Sequence, residues 1–335
     1  MKEGIYTLAN DAVYDQLVAL LNSIEANAGS DIPVCVIAYN NQLDKVRLEL
    51  ANRKNVTLLE DAALFQRWED FSYQVWKSHP HALQVWQEQG ITTKFYRVGE
   101  NHRYCAFDPD SPFERFIYLD ADTLVMNSLE FIFKQLEKSD FVVYDFQYKD
   151  PGHIYNLESP ILFQLFDEGR IKSEIFCSGF YASKQNLFPQ ERRDWLISQL
   201  AAGEADVLYL RAPNQSVLNY MRMRSDIPIY NFALTLPAPQ KTGNSVTSSH
   251  FTNRDNILYD KGTRLTYLHY IGVSSKLIKK VCVGENLDFP YRDIFLHYRY
   301  LHEPEKRPKF TTKPKPYNQP PSLATKILRK LKLTP

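Results

Sequence analysis

The stretch Phe116-Ile117-Tyr118-Leu119-Asp120-Ala121-Asp122-Thr123-Leu124-Val125 decides how the rest of the chain is read. Its apolar run predicts a buried strand that ends in two carboxylates with one residue between them. Side chains alternate along a strand, so residues two apart share a face and both acids can meet one target. Two like charges at the end of a buried strand are costly unless a cation neutralises them. A divalent metal with oxygen ligands is the simplest such cation, and a diphosphate would complete its shell. A strand followed by an ordinary acidic turn would leave the same residues, so the choice rests on what accompanies them.

The companion is Tyr267-Leu268-His269-Tyr270-Ile271-Gly272. A histidine in an apolar strand can offer a neutral nitrogen ligand, and a glycine close behind lets backbone approach a phosphate. Alone, a strand histidine is more often a packed core residue. With Asp120 and Asp122 it completes a three-ligand set.

Around these landmarks the chain alternates strand and helix. Gly4–Ala9 reads as a strand and Tyr14–Ala26 as a helix with Leu17, Val18, Leu20, Leu21 and Ile24 on its apolar positions. Ile32–Tyr39 is a second strand, Gln42–Arg53 a helix and Val56–Leu59 a third strand. Such alternation predicts an α/β architecture with a largely parallel sheet, whose ligands sit beyond the carboxyl ends of the strands. The Asn10-Asp11 turn and the Asp120–Asp122 pair both fall at such ends. The aromatic stretch over residues 61–115 reads as helices covering the sheet, in preference to a metal site at His79-Pro80-His81. Phe141–Phe146, Ile175–Ala182 and Thr266–Val273 are expected to be strands, Glu191–Ala201 and Asn214–Met223 helices. Proline becomes frequent after His302. The expected division is therefore a body over 1–302, a basic Pro-rich extended linker over 303–321 and a basic amphipathic tail over 322–335.

Composition excludes several classes. With 44% hydrophobic and 24% charged residues, and 41 Tyr and Phe against 12 Gly, the chain suits a folded enzyme better than a repetitive or flexible protein. Residues 306–335 hold nine Lys and Arg and no acid, leaving 31 basic against 39 acidic groups before them, a net of −8. An acidic body argues against a nucleic-acid footprint. The four cysteines are widely spaced without a CxxC pair and read as reduced core thiols. With no secretory leader or membrane span evident, a cytoplasmic protein is expected.

In its ordered landmarks the chain resembles the glycosyltransferases of GT-A fold, family 8, over most of residues 5–280. Thr7-Leu8-Ala9-Asn10-Asp11-Ala12-Val13-Tyr14 is similar to that family's uridine-binding strand and turn, and Tyr118-Leu119-Asp120-Ala121-Asp122 to its DxD motif. Phe176-Cys177-Ser178-Gly179-Phe180 is similar to its "FNAG" strand, Asn214-Gln215-Ser216-Val217-Leu218-Asn219 to "DQxxLN", and His269-Tyr270-Ile271-Gly272 with Lys276 to "HxxGxxKPW". The resemblance implies a GT-A nucleotide-diphospho-sugar transferase fold, a single Rossmann-like mixed sheet flanked by helices. It also implies transfer of a sugar from a nucleotide donor, UDP-linked, to a glycan, lipid or protein hydroxyl.

Residue by residue, the resemblance implies that Asp120, Asp122 and His269 hold Mn²⁺ or Mg²⁺ against the diphosphate. Thr7, Leu8, Asn10 and Tyr14 would hold uracil and ribose. Arg103 would place a cation beside the phosphates, with a surface salt bridge as its plain alternative, and Lys276 would close over the β-phosphate. Ala121, Ser178, Gly179 and Gly272 would line the donor. Asp145 would bind a donor-sugar hydroxyl, and Gln215 would lie at the reacting carbon with Asn214 beside it. Three departures stand out: Asn214 replaces an acid, Ser178 replaces Asn, and Lys276 sits one residue late without Pro-Trp. An amide hydrogen-bonds a sugar but cannot serve as base or nucleophile.

Other classes compete. Asp-x-Asp also opens haloacid dehalogenase phosphatases, but those want Thr or Val where Leu124 stands. A nucleotidyltransferase would want a Gly-rich loop after the first strand, and Leu8–Asn10 contains none. A non-catalytic nucleotide-sugar binder is motivated by Asn214. The tail from Ser322 places Leu323, Ile327 and Leu331 on one helical arc and Lys326, Arg329, Lys330 and Lys332 on the other. That pattern is expected to bind an anionic membrane surface, or else to act as a solubilising tail.

Overall fold

The computed structural model describes residues 2–318. Its centre is a seven-stranded sheet formed by β1 (Glu3–Ala9), β2 (Val34–Ala38), β3 (Val56–Leu59), β4 (Arg115–Asp120), β6 (Phe141–Val143), β7 (Phe180–Lys184) and β8 (Ile229–Asn231). The short strand β5 (Thr123–Val125) lies outside it. The order is β3-β2-β1-β4-β7-β6-β8. From β3 to β4 neighbours are parallel, β7 runs antiparallel to both β4 and β6, and β8 is parallel to β6. The sheet is thus mixed.

Alternation sorts the strand side chains into two layers. Tyr6, Leu8, Cys35, Ile37, Phe116 and Tyr118 enter one core, which is covered by Trp68, Phe71, Val75, Trp76 and Trp86 from the 61–115 region. Ile5, Ala9, Val36, Ala38, Ile117 and Leu119 enter the other, packed by helices Tyr14–Asn27, Asp44–Leu50 and Glu130–Leu136. Helix Tyr14–Asn27 stops where Ala28 and Gly29 both return N–H bonds to the Ile24 carbonyl, with Gly29 at φ +129°. Only glycine adopts that angle readily. His79 and His81 hold no metal cluster: His79 Nδ1 accepts from the His81 and Ala82 amides and starts the next helix.

The chain after β8 adds a smaller third core. A three-stranded antiparallel meander, β9 (Thr252–Arg254), β10 (Ile257–Asp260) and β11 (Thr263–Arg264), leads into β12 (Tyr267–His269), which pairs antiparallel with β5. Leu124, Met126, Leu268, Tyr270 and the helices Ser275–Cys282 and Arg292–Arg299 fill this core. No helix among the described residues is long and apolar enough to cross a membrane. Residues 303–318 open with a 3-10 turn at Pro304–Lys306 and lie against the body. Here β13 (Leu287–Asp288) pairs with β14 (Lys315–Pro316), and the Arg292 guanidinium sits 4.8 Å from the Phe310 ring centre. The tail expected over 322–335 lies outside the described residues.

One expected strand is displaced. Ile175–Ala182 was to be extended pairing throughout, yet β7 begins only at Phe180. The reason is that side chains take the backbone groups of residues 176–178. Asn219 bonds both the N–H and C=O of Phe176, Asp145 accepts from Cys177 N, and Gln215 accepts from Ser178 N. Helix Pro213–Arg224 supplies two of these partners and is pinned by Arg222, which has no solvent exposure and donates to Glu174 Oε2 at 2.7 Å and to the Ile227 carbonyl.

Removing Glu174 would strand the Arg222 guanidinium in the core, so Glu174→Ala is expected to cost about 3–5 kcal/mol in urea unfolding. Burial opposes ionisation of Glu174, but Arg170 and Arg222 outweigh it and hold its pKa below the ordinary value. A depressed carboxylate pKa stabilises the fold above the unfolded-state value and loses that contribution as pH falls through the folded-state value. The wild-type advantage over Glu174→Ala should accordingly be full at pH 7 and shrink below about pH 4.

Candidate active site

Strand β4 ends at Asp120, and the turn to β5 places Asp122 two residues on. The three-residue ladder between β5 and β12 then sets His269 opposite Thr123. Its effect is to bring together carboxylates and an imidazole from distant parts of the sequence. Asp120, Asp122 and His269 offer ligand atoms all within 4.8 Å of one another, the only such group of three or more among the described residues. His269 Nε2 lies 3.1 Å from Asp122 Oδ1. Burial disfavours charge on His269, yet the Asp122 carboxylate outweighs it and holds the imidazole pKa well above its ordinary value. Burial likewise opposes ionisation of Asp122, and His269 overrides it to hold that pKa down. A metal ion would take the place of the proton in this pair.

The space around the triad is shaped for an ion. A Cβ on Gly179 would fall 2.4 Å from His269 Cε1, 3.0 Å from its Nδ1 and 3.1 Å from Asp120 Oδ2. Any side chain there would push into the ligand atoms. Two carboxylates, one imidazole and this bare backbone suit a hard divalent cation such as Mn²⁺ or Mg²⁺.

Arg103 braces the site from a 3-10 segment, Val98–Phe107. It is 4% exposed, so the surface salt bridge that its sequence position allows is not what forms. Its Nη2 donates to Asp120 Oδ1 at 3.0 Å, its Nη1 to the Ser178 carbonyl and hydroxyl, and its Nε to the Glu100 carbonyl. Tyr118 OH also donates to Asp120 Oδ1.

The triad opens onto a crevice of about 580 Å³ at the carboxyl ends of β1 and β4. Leu8, Asn10, Arg103, Ala121 and Gly272 line it as expected, together with Asp120 and Asp122. Asn10 caps the turn that follows β1, its Oδ1 accepting from Ala12 N. Gly272, at φ +81°, and Ser274–Ser275 form the opposite wall, where helix Ser275–Cys282 begins.

Several expected residues lie elsewhere. Thr7 has no solvent exposure, because its side chain falls on the core side of β1. Tyr14 points away from the crevice: its OH donates to Glu49 and the Arg299 guanidinium covers its ring. Lys276 is exposed and does not line the crevice. Ser178, Asn214, Gln215 and Asp145 form a supporting layer. Ser178 Oγ donates to Asn214 Oδ1, and Gln215 spans from Ser178 N to the His153 carbonyl. Asp145 is 6% exposed; burial raises its pKa against the Cys177 and Gln147 amides that bond it.

Among the crevice groups not anticipated from sequence are two charged ones, Arg97 and Glu100. Arg97 Nη1 lies 3.0 Å from Glu100 Oε1, and Asn214 Nδ2 donates to Glu100 Oε2. Burial pushes the Glu100 pKa up, with Arg103 and Arg97 opposing. No periodicity marks these residues; the signal available was their place three and six residues before Arg103. A larger cavity of about 720 Å³ opens at the other end of β2 and β3, where Arg53 pairs with Glu49 and Arg299 with Asp15. It lies away from the triad.

No protein-family model and no curated protein sequence matches the chain. Solved structures do. The galactosyltransferase LgtC, in complex with donor and acceptor sugar analogues, superposes with a TM-score of 0.53 at 13% identity, covering 93% of this chain and 98% of that one. Mouse xyloside xylosyltransferase 1, in its apo form, gives 0.50 at 11% identity over 69% and 85%. The fold is GT-A: a mixed seven-stranded sheet flanked by helices.

Gly179→Ala tests the cradle. The added methyl should displace His269 or Asp120 and lower Mn²⁺ affinity about tenfold or more, read by electron paramagnetic resonance titration. The far-UV circular dichroism should stay unchanged. Unaltered Mn²⁺ affinity would remove Gly179 from the ion's surroundings.

Proposed function

We propose that the protein is a metal-dependent glycosyltransferase that moves a sugar from a nucleotide donor, UDP-linked, to an acceptor hydroxyl. The observation that carries this is the convergence of Asp120, Asp122 and His269 on one point beside a crevice at the carboxyl edge of the sheet. The resemblance to family 8 in motif order, and the donor and acceptor analogues named for LgtC, support the same reading. Fold likeness alone would not, since folds host many functions.

Held by the triad, Mn²⁺ or Mg²⁺ would neutralise charge on the diphosphate as it leaves the sugar. The chain's own groups would do the rest. Leu8 and Asn10 would receive the nucleoside at the end of β1. The amides at the start of helix Ser275–Cys282, the positive end of its dipole, would face the phosphates. Arg103 would hold Asp120 in the orientation that an ion requires while adding a fixed positive charge. Gln215 would position the 176–179 loop, because both ends of its amide are engaged with backbone.

The phosphatase alternative needs Asp120 as a free nucleophile, and its Oδ1 already accepts from Arg103 and Tyr118. The proposal extends to a lipid-linked acceptor at the cytoplasmic face of an anionic membrane, supported by the nine basic and no acidic residues after Glu305.

Asp122→Asn is expected to lower UDP-sugar turnover with Mn²⁺ by roughly 10²-fold, with the fold kept by circular dichroism and the melting temperature lowered, because His269 loses its charged partner. Turnover by the variant that persists in EDTA would sink the metal role. Wild type that binds UDP-sugar but neither hydrolyses nor transfers it would make the protein a binder. For the membrane, the full chain should sediment with phosphatidylserine vesicles at low salt and a chain ending at Asn318 should not. Equal sedimentation of the two would end that part of the proposal.

A further inference from the structure

Glu100 has no part in the metal set, yet the backbone around it is arranged to bring it into the crevice. Arg97 adopts φ 58°, ψ 45°, a left-handed conformation that side chains rarely take. Gly99 passes so close to β2's exit that a Cβ would sit 2.2 Å from the Tyr39 carbonyl oxygen. Non-glycine residues in such conformations persist where the surroundings impose them, and they cluster at functional sites. The result here is a carboxylate 17% exposed on the crevice wall, one oxygen against Arg97 and the other on the Asn214 amide.

The chemistry of this position narrows what it can meet. A carboxylate accepts hydrogen bonds and repels phosphate, so it cannot serve the diphosphate. Arg103 stands between it and the triad, bonding Asp120 with one nitrogen and Ser178 with another. Through Asn214, Glu100 is tied to Ser178, the neighbour of the Gly179 that touches Asp120 and His269, so the part of a donor it would meet is the sugar beyond an ion-held diphosphate. Asn214 itself is enclosed: its oxygen accepts from Ser178, its nitrogen donates to Glu100, its carbonyl takes the Tyr104 hydroxyl, 6% of its surface is exposed, and it does not line the crevice as Glu100 does. The amide therefore fixes Glu100 and leaves the contact with ligand to the carboxylate.

We propose that Glu100 is the group that reads the donor sugar, its carboxylate accepting a ring-hydroxyl hydrogen bond while Asn214 and Arg97 hold it in place. This rests on the nucleotide-sugar reading above and names the side chain that discriminates one sugar from another within it. A hydroxyl bonded to a carboxylate makes a charge-assisted contact, stronger than one to a neutral acceptor. A donor lacking that hydroxyl leaves a buried anion without its partner, and sites of this kind reject such analogues strongly.

The test is calorimetric binding with Mn²⁺ of UDP, UDP-glucose, UDP-galactose and the deoxyfluoro derivatives of both sugars, for wild type, Glu100→Gln and Glu100→Ala. Arg103 keeps its bond to the residue-100 carbonyl in either variant, so the fold is not at risk, and circular dichroism checks it. Expected is one fluorinated ring position that weakens wild-type binding about tenfold or more yet costs Glu100→Ala about nothing, with UDP affinity within about twofold across all three proteins. Glu100→Gln should fall between. If every deoxyfluoro donor loses the same factor in wild type and Glu100→Ala, the proposal is overturned. An equal loss of UDP and UDP-sugar affinity also overturns it and makes Glu100 a counter-ion for its arginines. Wild type that binds none of these nucleotides overturns the transferase reading itself.

Discussion

A guanidinium buried to 4% exposure holds this site together. Arg103 meets Asp120, Ser178 and the Glu100 carbonyl with three of its nitrogens, and its planar face lies 4.8 Å from the centre of the Tyr118 ring. Taking such a charge out of water costs several kcal/mol unless its donors are answered in the right directions. The fork geometry of arginine answers them; a lysine would offer one point charge and lose the bond to either Asp120 or Ser178. Because one end of the fork grips Asp120 and the other grips the 176–179 loop, the position of each depends on the other.

That loop shows how a site can be assembled from groups that belong to no single element. Residues 176–178 exchange backbone bonds with side chains of Asn219, Asp145 and Gln215 instead of with a neighbouring strand. Irregular backbone of this kind stays ordered only if every buried polar group finds a partner. Once it is held, Gly179, whose carbonyl accepts from Asp120 N, lies where a side chain would run into His269 and Asp120.

Much of this was legible in sequence, for identifiable reasons. β1, β3 and the Asp120–Asp122 strand end are short apolar runs with clear bounds, and the Tyr14–Asn27 helix carries an unbroken apolar stripe. The joining of His269 to the two aspartates was inferred from the order of the motifs, and the β5–β12 ladder accomplishes it. What escaped notice depends on direction and on tertiary partners. Tyr14 follows the crevice turn in sequence, but a helix start rotates it toward Glu49. Thr7 is fully buried inside β1, short of the Leu8–Asn10 end that opens on the crevice. Arg97 and Glu100 reach the crevice only through a left-handed residue and a glycine contact that no pattern of apolar spacing encodes. Proline frequency after His302 predicts an extended linker, and spacing alone does not show that Phe310 and Tyr317 find apolar cover on the third core.

The antiparallel course of β7 settles where this protein can be altered. With β1 and β4 delivering crevice-facing groups from their carboxyl ends, β7, antiparallel to β4, must deliver from its amino end, and Phe176–Gly179 do so. Its other end, Lys184–Leu187, therefore turns at the rim remote from the crevice, where Gln185 N bonds the Glu114 carbonyl and Glu114 N the Lys2 carbonyl. An affinity tag, a fluorophore or a fused domain belongs at that lower rim, where added chain can grow outward away from the crevice.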